Sequence, residues 1–178
     1  MYNIRIQMER TLIVLKPDAL KRGIVGEILS RFEKAGLKIV GTKMMQPDYD
    51  HYYHHYEKIG EMISRRGQEA FDVTLEFMQD GPVIAVVLEG IEAVSLVRKM
   101  VGTTEPKSAL PGTIRGDYAH ISFEYANGIG VSIPNLIHAS GDPKEAKKEI
   151  AHWFSEAELF EYKTVHEVYT QAEKRKKK

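Results

Sequence analysis

The side chains able to carry chemistry are few and scattered. His138 closes the short apolar run Asn135-Leu136-Ile137-His138, just before Ala139-Ser140-Gly141. A histidine at the mouth of a strand can act as nucleophile or base near pH 7, because neutral imidazole keeps one ring lone pair free. Glu149 lies in the helix that follows. It could fold back to hold one ring nitrogen and fix the tautomer, with Ser140 adding a hydrogen bond. A histidine so placed can equally be a structural residue, and these residues alone leave both readings open. A Ser-His-acid hydrolase would need a G-x-S-x-G turn, and the chain has none.

A second set could hold an anion. Lys16 stands at a strand end, Arg98 on a helix, Thr104 and Arg115 in a long segment rich in glycine and proline, and Asn135 three residues before His138. Arginine binds phosphate through two parallel donors and lysine as a point charge. Two arginines and a lysine could therefore hold a polyphosphate without a glycine cradle. The run from Gly102 to Lys107-Ser108 is not such a cradle: it lacks the glycine before Lys-Ser, and Pro106 removes a backbone donor. Gly128-Ile129-Gly130 is a fragment of a dinucleotide fingerprint that follows no good strand. His51, His54 and His55 form a further concentration. Positions 51 and 55 share one helix face and could ligate a metal, but no H-E-x-x-H accompanies them and a surface helix face is the expectation.

Something must position these residues. Thr11 to Leu15 is a β-rich apolar run. Ile24, Val25, Ile28, Leu29 and Phe32 form one helical stripe, and Gly36 ends it. Leu37 to Met45 is a second strand, with Leu37, Ile39, Gly41 and Lys43 expected on one face. Val83 to Leu88 is a buried strand, followed by the helical stripe Ala93, Leu96, Val97 and Met100. The short element ending at His138 precedes a helix announced by Asp142-Pro143. The order β-α-β, helices from about Tyr49 to Phe77, then β-α-β predicts an α/β (α+β) domain of the ferredoxin-like kind, with a four-stranded antiparallel sheet and extra surface helices. Residues 102–134 fit no element and read as a long functional or disordered loop.

The 178 residues suit one domain, expected over 1–170, with a basic, flexible tail at 171–178. Apolar residues at 43% can bury a real core. Lysine plus arginine balance aspartate plus glutamate, and residues 174–178 are all basic, so the body ahead of them is mildly acidic. That argues against a specific nucleic-acid partner. The absence of cysteine excludes disulfides and thiolate metal sites. No apolar run is long enough to span a membrane and no signal-peptide core opens the chain, so a soluble, cytoplasmic protein is expected.

Over about Glu9 to Tyr162 the chain resembles the nucleoside diphosphate kinase family. The resemblance rests on Glu9-Arg10-Thr11 through Lys16-Pro17-Asp18, Arg22 to Ile28, Gly81-Pro82-Val83, Leu88-Glu89-Gly90, Gly102-Thr103-Thr104, Pro111 to Asp117 and Asn135 to Ser140, all in family order. It implies transfer of the γ-phosphoryl group of a nucleoside triphosphate, typically ATP, to a nucleoside diphosphate by a ping-pong route through phosphohistidine. His138 matches the nucleophile (phosphorylated at the pros nitrogen). Lys16, Arg98, Thr104, Arg115 and Asn135 match the nucleotide-binding residues, and Tyr56, Glu149 and Ser140 those that support the histidine. Mg2+ is implied as cofactor, carried mainly by the nucleotide phosphates with no protein ligand, and a homo-oligomer, hexamer or tetramer, is implied as the assembly. The family's paired phenylalanines are reduced here to one, so Phe71 is the candidate for stacking on the base. The chain also carries an insertion between Asp117 and Asn135. A catalytically silent nucleotide- or protein-binding relative is the alternative.

Overall fold

The computed structural model describes residues 8–167; the tail expected at 171–178 lies outside them. Strand β1 (Met8–Leu15) is followed by α1 (Pro17–Lys21), α2 (Val25–Lys34) and β2 (Lys38–Met45). Then come α3 (Tyr49–Tyr53), which runs on as a π-helical stretch over His54–Ile59, α4 (Met62–Arg66) and α5 (Gln68–Gln79). Strand β3 (Val83–Ile91), α6 (Ala93–Val101), α7 (Ile114–Tyr118), α8 (Phe123–Gly128), β4 (Ile137–Ala139) and α9 (Pro143–Trp153) complete the order.

The sheet runs β2-β3-β1-β4 with every neighbour antiparallel. This is the ferredoxin-like arrangement expected, with α2 and α6 as its two crossover helices. Strand residues alternate between two cores, so both faces are buried. Ile13, Leu15, Val86 and Leu88 pack against Ile28 and Phe32 of α2 and Val97 and Val101 of α6. Leu12, Val14, Ala85 and Val87 face the extra helices, meeting Tyr52, Phe71, Leu75, Met78 and Trp153. A sheet covered twice explains why β1 and β3 read as continuous apolar runs.

Two expectations need correction. Leu37 and Ile39 do share a face, but a bulge between Ile39 and Gly41 shifts the register. A Cβ at Gly41 would meet Leu159 and Phe154, and Lys43 reaches Glu158 and the Phe154 ring, so both belong to the opposite face with Val40. One extra residue reverses the alternation, which periodicity alone cannot anticipate. The segment 102–134 is not a bare loop either. Thr113 caps α7 by accepting from Gly116 N, and Ser122 caps α8 by accepting from Tyr125 N. Arg31 ties α7 to α2 through Asp117 and the Tyr118 ring.

Candidate active site

Strand β4 enters the sheet through a tight turn. Leu136 has φ 71, and Ile137 N donates to Asn135 O across it at 2.8 Å, a γ-turn. Asp18 Oδ2 accepts from Leu136 N at 2.9 Å, and Lys16 N donates to Leu136 O, so the junction of β1 and α1 holds the turn. This places Asn135 and His138 on the wall of one cleft of about 480 Å³. Lys16, Arg98, Thr104 and Arg115 line the same cleft, together with Tyr56 and Glu149.

The nucleophile candidate is held from behind. His138 Nε2 and Glu149 Oε1 are 2.8 Å apart, and Ser140 Oγ donates to Glu149 Oε2 at 2.5 Å. Leu12 N donates to Ser140 Oγ, which fixes the serine on β1. Ser140 therefore steadies the carboxylate, not the imidazole. A carboxylate against Nε2 puts the ring proton there and leaves the Nδ1 lone pair for chemistry. Burial alone would raise the Glu149 carboxyl, but the charge and hydrogen bond of His138, then His55 and Ser140, bring it down to about 2.

This shift has a measurable consequence. A carboxyl depressed from 4.5 to about 2 stabilises the fold fully above pH 4.5 and loses that contribution as pH falls towards 2. The amount is on the order of 3 kcal/mol. Thermal melts between pH 2.5 and 7 should show the wild type losing stability steeply across that window. Glu149→Gln should be less stable at pH 7 but flatter below pH 4.5. Parallel curves would remove Glu149 as the titrating anchor.

His55 was expected on a surface face with His51 and His54, but it is 2% exposed. Its Nδ1 accepts from Trp153 Nε1 at 3.1 Å, and its ring meets that of His138 edge-on at 4.6 Å. Burial, then the nearby His138 charge, pushes its pKa well down and keeps it neutral. His51 is half-buried against His152, and His54 alone of the three is exposed. The i, i+4 pair is divided in its partners: His51 stacks on His152, while His55 Nδ1 is engaged by Trp153. Among the described residues the cluster of metal-ligand dimensions is His55, His138 and Glu149. Tyr56 packs edge-on against His55 at 4.7 Å, but no hydrogen bond joins it to His138. Its hydroxyl is buried without a partner, and burial holds it protonated, so it is a spare donor in the wall of the cleft.

The cations form the opposite kind of environment. Lys16 Nζ donates to Asn135 Oδ1 at 2.8 Å, and Asn135 Nδ2 to Thr104 O at 2.9 Å. Arg115 donates three of its five N–H groups to carbonyls, those of Asn135, Gly102 and Ile137. Burial, then the Arg115 charge, lowers Lys16 to about 8, and burial, then Arg98, lowers Arg115 to about 10. Among the described residues none of Lys16, Arg98 and Arg115 makes an ion pair with a carboxylate. Lys16 and Arg115 are buried, with Asp18 the one negative charge acting on both among the described residues, and Arg98 is exposed at the same cleft; such a set favours a bound anion.

Phe71 does not belong here. It is fully buried in the core with its ring against Tyr53 at 5.8 Å, and it does not line the cleft. The start of α5 turns this side chain inward, so it has no face to offer a base. Sequence reasoning also passed over Asp18, Met62, Arg66 and Thr74. Thr74 carries no signal beyond lying on a helix, whereas Arg66 stands in the conspicuous pair Arg65-Arg66.

The family model for nucleoside diphosphate kinase matches residues 9–159. The chain is 42% identical to a nucleoside diphosphate kinase of Borreliella burgdorferi, covering 88% of this chain and 93% of that one. It is 47% identical to that of Thermococcus kodakarensis, over 88% of this chain and 82% of the relative. Among solved structures, a transition state mimic of nucleoside-diphosphate kinase from Borrelia burgdorferi with bound vanadate and ADP superposes with TM-score 0.89 at 40% identity, covering 92% and 97% of the two chains. An NDP kinase from Pyrobaculum aerophilum superposes with TM-score 0.78 at 39% identity, over 87% of this chain and 100% of that one.

Proposed function

We propose the following division of labour in a chain that belongs to the nucleoside diphosphate kinase family and is thus a phosphotransferase. His138 Nδ1 attacks the γ-phosphorus of a nucleoside triphosphate, the bond to the β-γ bridging oxygen breaks, and a nucleoside diphosphate leaves. A second diphosphate then accepts the group from phosphohistidine. The observation that carries this is the Glu149 carboxylate on His138 Nε2, which aims the other nitrogen into a cleft lined by cations.

Phosphoryl transfer asks for alignment and for positive charge around the equatorial oxygens more than for acid-base work. Arg98, Arg115 and Thr104 are assigned to the phosphates, and the Tyr56 hydroxyl gains there the acceptor it lacks. Lys16 and Asn135, already bonded to each other, are assigned to the sugar hydroxyls. Ser140 keeps Glu149 ionised and in place. A neutral imidazole nucleophile avoids the repulsion an anionic one would meet beside a triphosphate. Vanadate with ADP in the Borrelia structure is described as a transition state mimic, which supports the same assignment here.

Mg2+ supplies further charge neutralisation when it arrives on the nucleotide phosphates. The cluster of His55, His138 and Glu149 does not suit it, being nitrogen-rich and already hydrogen-bonded, whereas magnesium demands oxygen ligands. A homo-oligomer, hexameric or tetrameric, is part of the proposal; Met44, Leu110, Tyr125 and Ile129 are large apolar side chains left exposed, as an interface would use. Sedimentation as a monomer would contradict it. Among the described residues no helix is long and apolar enough to cross a membrane. A cytoplasmic site of action accords with nucleoside triphosphates as substrates.

The test is incubation with γ-labelled ATP and magnesium, followed by acid and base treatment. A base-stable, acid-labile phosphoprotein that discharges onto added diphosphate is the expected result. A label stable to acid would overturn the phosphohistidine route.

A further inference from the structure

Once the phosphate cations and the nucleophile are assigned, part of the cleft has no task. Met62, Arg66, Thr74, Ser132 and Ile133 line it without a role assigned above, although the Arg66 charge is close enough to lower Lys16 and Arg115. Met62 and Ile133 are apolar, and the Thr74 hydroxyl is spent on Ala70 O at 2.7 Å. This is the chemistry of a slot for a flat, weakly polar group. The aromatic rings of the cleft wall, Tyr56, His55 and His138, pack on one another at the nucleophile. With Phe71 buried in the core, no other ring among the described residues lines the cleft.

Arg66 supplies a planar group instead. Among the described residues its guanidinium makes no ion pair, and its one ring contact is Phe123, 6.0 Å from the ring centroid. Phe123 comes from the inserted segment and is firmly placed: its backbone N donates to Glu105 Oε1 at 2.9 Å, and Ser122 beside it caps α8. The start of α8 thus meets α4 through this contact. A guanidinium is flat, weakly hydrated and stacks well on π systems, so one face can rest on Phe123 while the other meets a ligand. We propose that Arg66, backed by Phe123, is the surface on which the nucleobase stacks, in place of an aromatic side chain, and that the insertion exists in part to brace it. The proposal rests on the nucleotide reading above and adds the residue that holds the base.

Calorimetric titration of the full chain with ADP and with inorganic tripolyphosphate, both with magnesium, tests this. Arg66→Lys keeps the charge and removes the plane. It should weaken ADP about tenfold, the scale of one base-stacking contact, and leave tripolyphosphate within about twofold. Phe123→Ala should weaken ADP in the same direction in the wild type, and add little in the Arg66→Lys background. Unchanged ADP affinity in Arg66→Lys would overturn the proposal. So would an equal loss for ADP and tripolyphosphate in Arg66→Ala, which would make Arg66 one more phosphate cation. Labelling of the wild type by γ-labelled ATP separates the two readings. ADP binding that depends on the Arg66 plane without a phosphohistidine removes the kinase cycle and keeps the stacking. A normal phosphoenzyme with plane-independent binding does the reverse.

Discussion

Replacing His138 by alanine should lower phosphoryl exchange by about 10⁴-fold or more, the scale of losing a covalent nucleophile, and abolish the labelled phosphoenzyme. The size of the effect follows from the absence of a substitute in reach. His55 is the nearest imidazole, but its ring is 2% exposed and its Nδ1 is engaged by Trp153. His152 has its Nε2 on the carbonyl of His51 and lies behind the site rather than in its wall. Neither can align with a γ-phosphate in the place proposed for it, against Arg98 and Arg115, and alignment is most of what this reaction needs. His152→Ala should accordingly keep the phosphoenzyme. His55→Ala should keep it too, though with a less stable fold, since it empties a buried position beside Trp153. Measuring label per folded enzyme in the three variants decides the matter. Persistent acid-labile label in His138→Ala would sink the assignment, and its loss in His152→Ala would move the nucleophile to α9.

The sequence made the scaffold legible because its signals were local. Apolar runs marked β1 and β3, the stripe from Ile24 to Phe32 marked α2, and Asp142-Pro143 marked the start of α9, whose Asp142 side chain accepts from Lys144 N and Glu145 N. Glu149 could be paired with His138 because the two lie eleven residues apart, on β4 and on the helix α9 that follows it. What was not legible depended on contacts distant in the chain. The bulge at β2 is fixed by pairing with β3, and neither strand announces it. The burial of His55 comes from Trp153, ninety-eight positions away. Arg66 gains meaning only from its contact with Phe123, distant in the chain. Composition likewise made 102–134 look irregular, because helices as short as α7 and α8 are too brief to show periodicity.

Phe71 is the sharpest case of that difference, and it yields the second large effect. By resemblance it was the residue left to stack on a base, but in the structure it is fully buried among Tyr52, Leu75, Met78 and Val87, with Tyr53 edge-on to its ring. Truncation there leaves a ring-sized cavity between α5 and the sheet, so Phe71→Ala should cost about 3–5 kcal/mol of stability. For a chain of this size that corresponds to a melting temperature lower by roughly 6–20 °C. ADP affinity per folded molecule should stay near that of the wild type, because nothing in the cleft wall has been removed. Should the alanine variant fail to fold, Phe71→Leu keeps most of the volume. It should cost about 1–2 kcal/mol, again with ADP affinity preserved. Melting curves and calorimetric titrations on the same samples distinguish the two roles. A variant that melts with the wild type yet binds ADP an order of magnitude more weakly would return Phe71 to the nucleotide and take the base away from Arg66. A destabilised variant that still binds ADP normally leaves Phe71 as the buried support of α5, the helix that carries Thr74 to the cleft.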